Sequence, residues 1–382
     1  MSLRLLPALL GATALSATAA LAGDFAESAY TTDLSQVCPN PLILQKDWLM
    51  QAEHGPIIQM IGSGGTMEEG AYRGPLGSTG IELVVLEGGG GIGLADGETA
   101  YSALFRGNNR ANLVPHLAYH ELDNAFIFSD QFPAIGVFAP LDVAPTALLW
   151  DEATYPDGFG SVEDLIAFAE SGQGKIYVST ISRTFGRYLV EAGVPADAFV
   201  EGYRGDAENF VVNNGTWLNQ GFATSEVYNF ETGNNWERPI GYVFIDDLGY
   251  PNYTGMVSVS RDKLEELSPC LEALVPIMQQ AAIDYVTDPA EVNEVVVAFN
   301  EGDYNVGWWK TEPAQVANAA EVMAGTGIIG NGANDAVGDF DMDRVQAIFD
   351  VVSPNLDDRA DSDVTPEDVV TNRFIDPSIG FE

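Results

Sequence analysis

The chain has 382 residues, 46% of them apolar, and carries 16 Lys+Arg against 56 Asp+Glu for a formal charge of −40. That length leaves room for two separate cores, and the apolar fraction excludes general disorder. The charge excludes nucleic acid and anionic membrane surfaces as partners, because no basic stripe is left to neutralise phosphates.

The first 22 residues read as a secretory signal. Arg4 precedes an uncharged apolar run from Leu5 to Leu21, and Ala20-Leu21-Ala22 supplies the small-residue cleavage site before Gly23. The run is too short and wrongly flanked for a membrane span. A soluble mature chain of about 360 residues in the periplasm is expected. In that oxidising compartment Cys38 and Cys270, the two cysteines of the chain, are expected to form a disulfide. Two separate buried thiols are the alternative. Neither cysteine has C-x-x-C spacing, so no metal site is expected.

After the signal, residues 41–45 read as a strand and 53–61 as a helix. A second strand over 81–86 runs into Gly88 to Gly91, a loop because four glycines carry too much backbone freedom for a regular element. A short helix follows over 99–105, then two strand candidates, 124–128 and 134–139. The pattern restarts near residue 145: helix 162–170, strand 175–178, helix 183–192, an uncertain element at 210–212 and strand 241–245. From Asp262 onward helices dominate, over 264–285, 289–299, 312–323 and 342–351. Alternating strands and helices predict parallel sheets covered by helices.

No catalytic constellation stands out among these elements. The three histidines are His54, His116 and His120. The last two would share one face of a helix, where a solvated face is a better reading than a metal pair. Gly88 to Gly91 lacks both the Lys-Ser/Thr of a P-loop and the G-x-G-x-x-G order of a dinucleotide turn. The hydroxyl-rich stretch Ser179 to Gly186 follows a strand and opens a helix, where free N–H groups can hold an anion or be capped by Ser182 or Thr184. Trp217, Tyr228, Trp236, Tyr242, Phe244, Tyr250 and Tyr253 crowd one region, interleaved with Glu226, Asp246 and Asp247; Trp48 and the Trp308–Trp309 pair lie elsewhere. Aromatics beside carboxylates suit an organic cation or a flat heterocycle.

Three segments resemble the periplasmic substrate-binding proteins of ABC importers, in the group of sulfonate, taurine and thiamine-pyrimidine-precursor receptors. They are Asp47-Trp48 with Glu53-His54-Gly55, Tyr177 to Thr180 with Gly186 to Pro195, and Leu218 to Gly221 with Thr224 to Tyr228. The resemblance spans roughly residues 38–300. Departures include Val227 where proline is common, the glycine-rich Gly88 to Gly91 loop and Arg183 in the hydroxyl stretch.

The resemblance implies an α/β, two-lobed, type II-like binding fold with two hinge crossings near 140–145 and 248–255. Residues 23–143 and 252–382 would form lobe 1, and 144–251 lobe 2. The chain would be a monomeric, non-enzymatic receptor, without cofactor or metal, delivering a small organic solute to the membrane subunits of an ABC permease. A sulfonate receptor and an enzyme acting on a nitrogen heterocycle are the rival readings. The acidity and the aromatic–carboxylate interleaving favour an amine-containing or zwitterionic solute such as a betaine, a sulfonium analogue or an aminopyrimidine. The expected ligand residues are Trp48, His54, Thr180, Ser182, Trp217, Glu226 and Tyr250. Trp48 and Trp217 would stack on the solute, Thr180 and Ser182 would hold its polar end, His54 would use either ring nitrogen, and Glu226 would accept from a donor.

Overall fold

The computed structural model describes residues 24–68, 70–89, 99–107, 113–182, 184–205, 207–233, 236–302 and 310–382. The signal segment, Gly90 and Gly91, Arg183 and the Trp308–Trp309 pair lie outside the described residues.

Helix α1 (Asp24–Ala29) leads to β1 (Leu42–Gln45), whose residues are all buried, and a short turn enters α2 (Gly55–Gln59). A hairpin of β2 (Thr66–Glu68) and β3 (Ala71–Pro75) precedes β4 (Glu82–Leu86). Helix α3 (Ala100–Arg106) is opened by a capping box between Thr99 and Ser102 and closed by Gly107 in the left-handed conformation. Then follow β5 (Leu117–His120), α4 (Leu122–Ile127) and β6 (Ala134–Phe138). The chain leaves this sheet and builds β7 (Thr146–Asp151), α5 (Val162–Ser171), β8 (Ile176–Val178) and α6 (Thr184–Glu191). Next come β9 (Phe199–Glu201), α7 (Glu208–Val212), β10 (Leu218–Phe222), α8 (Glu226–Thr232) and β11 (Ile240–Phe244). It then returns as β12 (Met256–Ser260) and ends in α9 (Leu264–Thr287), α10 (Ala290–Glu301), α11 (Pro313–Gly325) and α12 (Met342–Val352).

The strands form a seven-stranded sheet, β2-β3-β4-β1-β5-β12-β6, and a five-stranded sheet, β11-β7-β10-β8-β9. The chain therefore crosses between sheets twice, after Phe138 and after Phe244. Both sheets are mixed, which corrects the parallel expectation. Only β4-β1-β5 and β10-β8-β9 run parallel, and the hairpin strands and returning strands pair antiparallel.

Three further expectations are corrected. Residues 124–128 are helical: Leu122 N–H donates to the Tyr253 carbonyl at 2.9 Å and Asp123 N–H to Asn252 Oδ1 at 3.1 Å, so a distant segment caps the turn. His116 and His120 lie on or beside β5 and not on a solvated helical face, and His120 is buried against the Tyr101 ring at 3.5 Å. The expected helix over 53–61 is broken into a single turn of 3-10 helix (Ala52–His54) and the short α2. Here Gly55 lies under the ring of Tyr285 from α9, where a Cβ would come within 2.2 Å of the ring.

Cys38 and Cys270 form the disulfide, tying the segment before β1 to α9 across 232 residues of sequence. The larger apolar cluster packs α2, α9, α10 and α11 on the seven-stranded sheet. A second cluster joins Leu122 and Phe126 to Leu148, Trp150 and Leu165, and draws in Val345 and Ile348 of α12. A third, around Phe210, Phe230 and Trp236, sits under the five-stranded sheet.

Candidate functional site

In open α/β sheets, ligands bind beyond the carboxyl ends of the parallel strands. In the larger sheet those ends are Gln45, Leu86 and His120; in the smaller one they are Val178, Glu201 and Phe222. The loop after β1 carries Lys46-Asp47-Trp48, and the loop after β4 carries Glu87-Gly88-Gly89. The ladder continues past both strands: Gly89 N–H donates to the Asp47 carbonyl at 2.9 Å and Gly88 N–H to the Trp48 carbonyl at 3.2 Å. A side chain at position 88 would put its Cβ 2.3 Å from the Lys46 carbonyl oxygen, so this approach requires glycine.

Beneath the loops Lys46 and Glu87 form a fully buried ion pair, Nζ to Oε2 at 2.9 Å, while Glu87 Oε1 accepts from Met50 N–H at 3.2 Å. Above it, Asp47 Oδ1 lies 2.9 Å from Nε2 of His54. Burial and Lys46 hold the His54 imidazole below its ordinary pKa, and therefore neutral near pH 7. Burial, the largest single influence, works against ionisation of Asp47, but the His54 hydrogen bond and charge, a backbone hydrogen bond and the Lys46 charge together outweigh it and keep the carboxyl below its usual range. A carboxylate can only accept, so Nε2 of the neutral ring carries the proton and Nδ1 is a lone-pair acceptor. That Nδ1 is buried with no partner among the described residues. Tyr119 packs edge-on against the same ring, 5.5 Å between centroids, and its buried hydroxyl is likewise unpartnered.

Glu53, one residue before His54, is 5% exposed and accepts a hydrogen bond from the Thr224 hydroxyl at the end of β10. This bond joins the two sheets' loops across the boundary. Burial pushes the Glu53 carboxyl up to about 7, with the Glu226 and Asp47 charges acting in the same direction. Glu226 opens α8 and folds back on its own loop, accepting from Phe222 N–H at 2.8 Å and the Ser225 hydroxyl at 2.6 Å. Burial raises its carboxyl as well, against those two bonds.

The expected site residues distribute unevenly. His54 and Glu226 share this boundary with Asp47, Glu53 and Thr224, and Trp48 stands next to Asp47 with 37% of its surface exposed. Thr180 and Ser182 bond each other at 2.8 Å, and Thr180 also donates to Glu201 at 2.9 Å, as does Ile181 N–H at 2.8 Å, so the hydroxyl loop is closed on a carboxylate. Trp217 is half-buried just before β10. Tyr250 is buried in the second crossing, where its hydroxyl donates to Asp123 at 2.7 Å and its ring packs on Tyr188. Asp47, Glu53, Thr224 and Tyr119 are the residues that sequence reasoning passed over. The first three stand inside the very segments that carried the family resemblance. Among the described residues no group of side chains could hold a metal ion.

No protein-family model matches the chain, and no curated protein matches it in sequence. Solved structures do match. The periplasmic nitrate-binding protein NrtA from Synechocystis PCC 6803 superposes with a TM-score of 0.52 at 13% identity, over 88% of each chain. The fold is that of a two-lobed periplasmic binding protein. The alkanesulfonate-binding protein SsuA from Xanthomonas axonopodis pv. citri is a more distant match, with a TM-score of 0.49 at 12% identity over 84% of this chain and 96% of that one. No described helix of this periplasmic-binding-protein fold is long and apolar enough to cross a membrane.

Proposed function

We propose that the chain is an extracytoplasmic solute receptor, working in the periplasm, that delivers a small amine-containing or zwitterionic organic compound to an ABC permease. Lobe 1 comprises residues 23–143 and 252–382 and lobe 2 residues 144–251, in keeping with the two crossings between the sheets. The observation that carries the ligand class is the sign of the groups at the boundary. Asp47 and Glu53 come from one side and Glu226 from the other, while Nδ1 of His54 waits as an acceptor. Acceptors from both lobes call for a solute that donates, and Trp48 offers a face for its cationic end.

A nitrate or sulfonate would meet these carboxylates unfavourably, although the neighbouring folds include receptors described for such anions. The hydroxyl loop offers the anion little, since Thr180 and Ile181 already donate to Glu201. The reading is of a receptor and not an enzyme, in line with the binding-protein description of NrtA. Native mass spectrometry of the protein purified from its own periplasm tests it: a bound small amine recovered chemically unchanged supports the reading, and a bound inorganic anion or a converted product rejects it.

A further inference from the structure

The Glu53–Thr224 hydrogen bond is a contact between loops of the two sheets that is buried on both sides. Among the described residues the ionisable groups acting on Glu53 are anionic or become so: Glu226 from α8, Asp47 from the loop after β1, and the Tyr285 phenol from α9, which the Glu53 charge in turn disfavours from ionising. The adjacent His54 ring is neutral. The other elements on this turn add no charge, since α2 has no ionisable residue and the buried face of α11 consists of Gln315, Val316, Ala319, Ala320 and Met323.

We propose that Glu53 and Thr224 form a proton-coupled latch between the lobes, closed when Glu53 carries a proton and weakened when it is ionised. A protonated carboxyl still accepts the Thr224 hydroxyl on its carbonyl oxygen, and, itself buried, it no longer repels the partly exposed Glu226 and Asp47. Opening would remove the Thr224 side of its burial and bring the Glu53 carboxyl down toward its ordinary value of 4.5, whereas burial holds it near 7 in the closed form. Closure then takes up a proton, and between those limits the closed-to-open ratio falls by up to about tenfold per pH unit. The latch builds on the proposed lobe arrangement but needs no particular solute.

The test is small-angle scattering of the solute-free, disulfide-intact chain at pH 5.5 and pH 8.5 in 0.3 M salt, on wild type, Glu53→Gln and Thr224→Val. Circular dichroism melts confirm folding in each case. Wild type is expected to be compact at pH 5.5 and expanded at pH 8.5. Glu53→Gln, neutral at both values and able to keep the bond, is expected to be compact at both. Thr224→Val is expected to be more expanded than wild type at pH 5.5. A wild-type radius of gyration that does not respond to pH would overturn the latch, as would a Glu53→Gln protein that expands with pH as wild type does. No solute enters these measurements, so they decide the latch separately from the receptor reading, which a failure of the purified protein to hold a small amine would reject.

Discussion

At the hinge side of the lobe boundary the facing charges have opposite sign, and at the mouth they have the same sign. Arg344 of α12 reaches Asp142 in the first crossing at 3.1 Å and Asp246 in the second at 3.4 Å, and its guanidinium lies over the Tyr253 ring, 4.2 Å from the centroid. One cation thus clasps both crossings. At the mouth, Glu53 meets Glu226 and Asp47, and the Thr224 hydroxyl bonds it across the boundary. The first arrangement ties the two crossings to each other; the second, on the proposed latch, holds best when Glu53 is protonated. The proposed receptor needs both, a pinned axis and a mouth that opens.

The largest effect should come from beneath the mouth. Lys46→Met leaves Glu87 as a buried, uncompensated carboxylate and should destabilise the fold by about 3–5 kcal/mol in urea unfolding. A loss under about 1 kcal/mol would show that water reaches this pair. Arg344→Met comes next, at about 1–3 kcal/mol, because its partners are partly exposed and screening takes a share of the interaction. Its distinguishing result is a lobe orientation that varies in scattering even at pH 5.5, where the mouth stays shut.

Glu53→Gln should remove a pH slope. The folded-state carboxyl is raised above its unfolded value, so the native chain binds the extra proton. The associated stability is full below about pH 4.5, is lost as pH rises, and is gone above about pH 7. The variant should therefore match wild type near pH 4.5 and exceed it by up to about 3 kcal/mol at pH 8, as read from unfolding midpoints across that range. Thr224→Ala is the smallest, at about 1 kcal/mol for one lost hydrogen bond.

Legibility in the sequence followed the physics of each segment. Apolar runs such as Leu42–Gln45, Glu82–Leu86 and Ile240–Phe244 were readable as strands, and the helices after Asp262 as helices. Strand β10 hid behind its polar residues, Asn219 and Gln220, although Asn219 is fully buried. Helix α4 was misread because five mixed residues do not separate period 2 from period 3.6, and its cap comes from Asn252 and Tyr253 far along the chain. His54 and Glu226 were within reach because a resemblance pointed to them. Glu53 and Asp47 stand in the same segment, but among 56 acidic residues sequence gives no sign that the fold buries Glu53 or turns Asp47 onto His54.

Calorimetric titration at pH 7.5 with glycine betaine, a sulfonium analogue, an aminopyrimidine, taurine and nitrate tests the central claim most directly. The account predicts saturable binding of at least one amine or onium compound that Glu226→Ala weakens ten- to a hundredfold, about 1–3 kcal/mol, with little change in unfolding midpoint. Tight binding of nitrate or taurine, with no response to any cationic or amine-bearing compound, would contradict it.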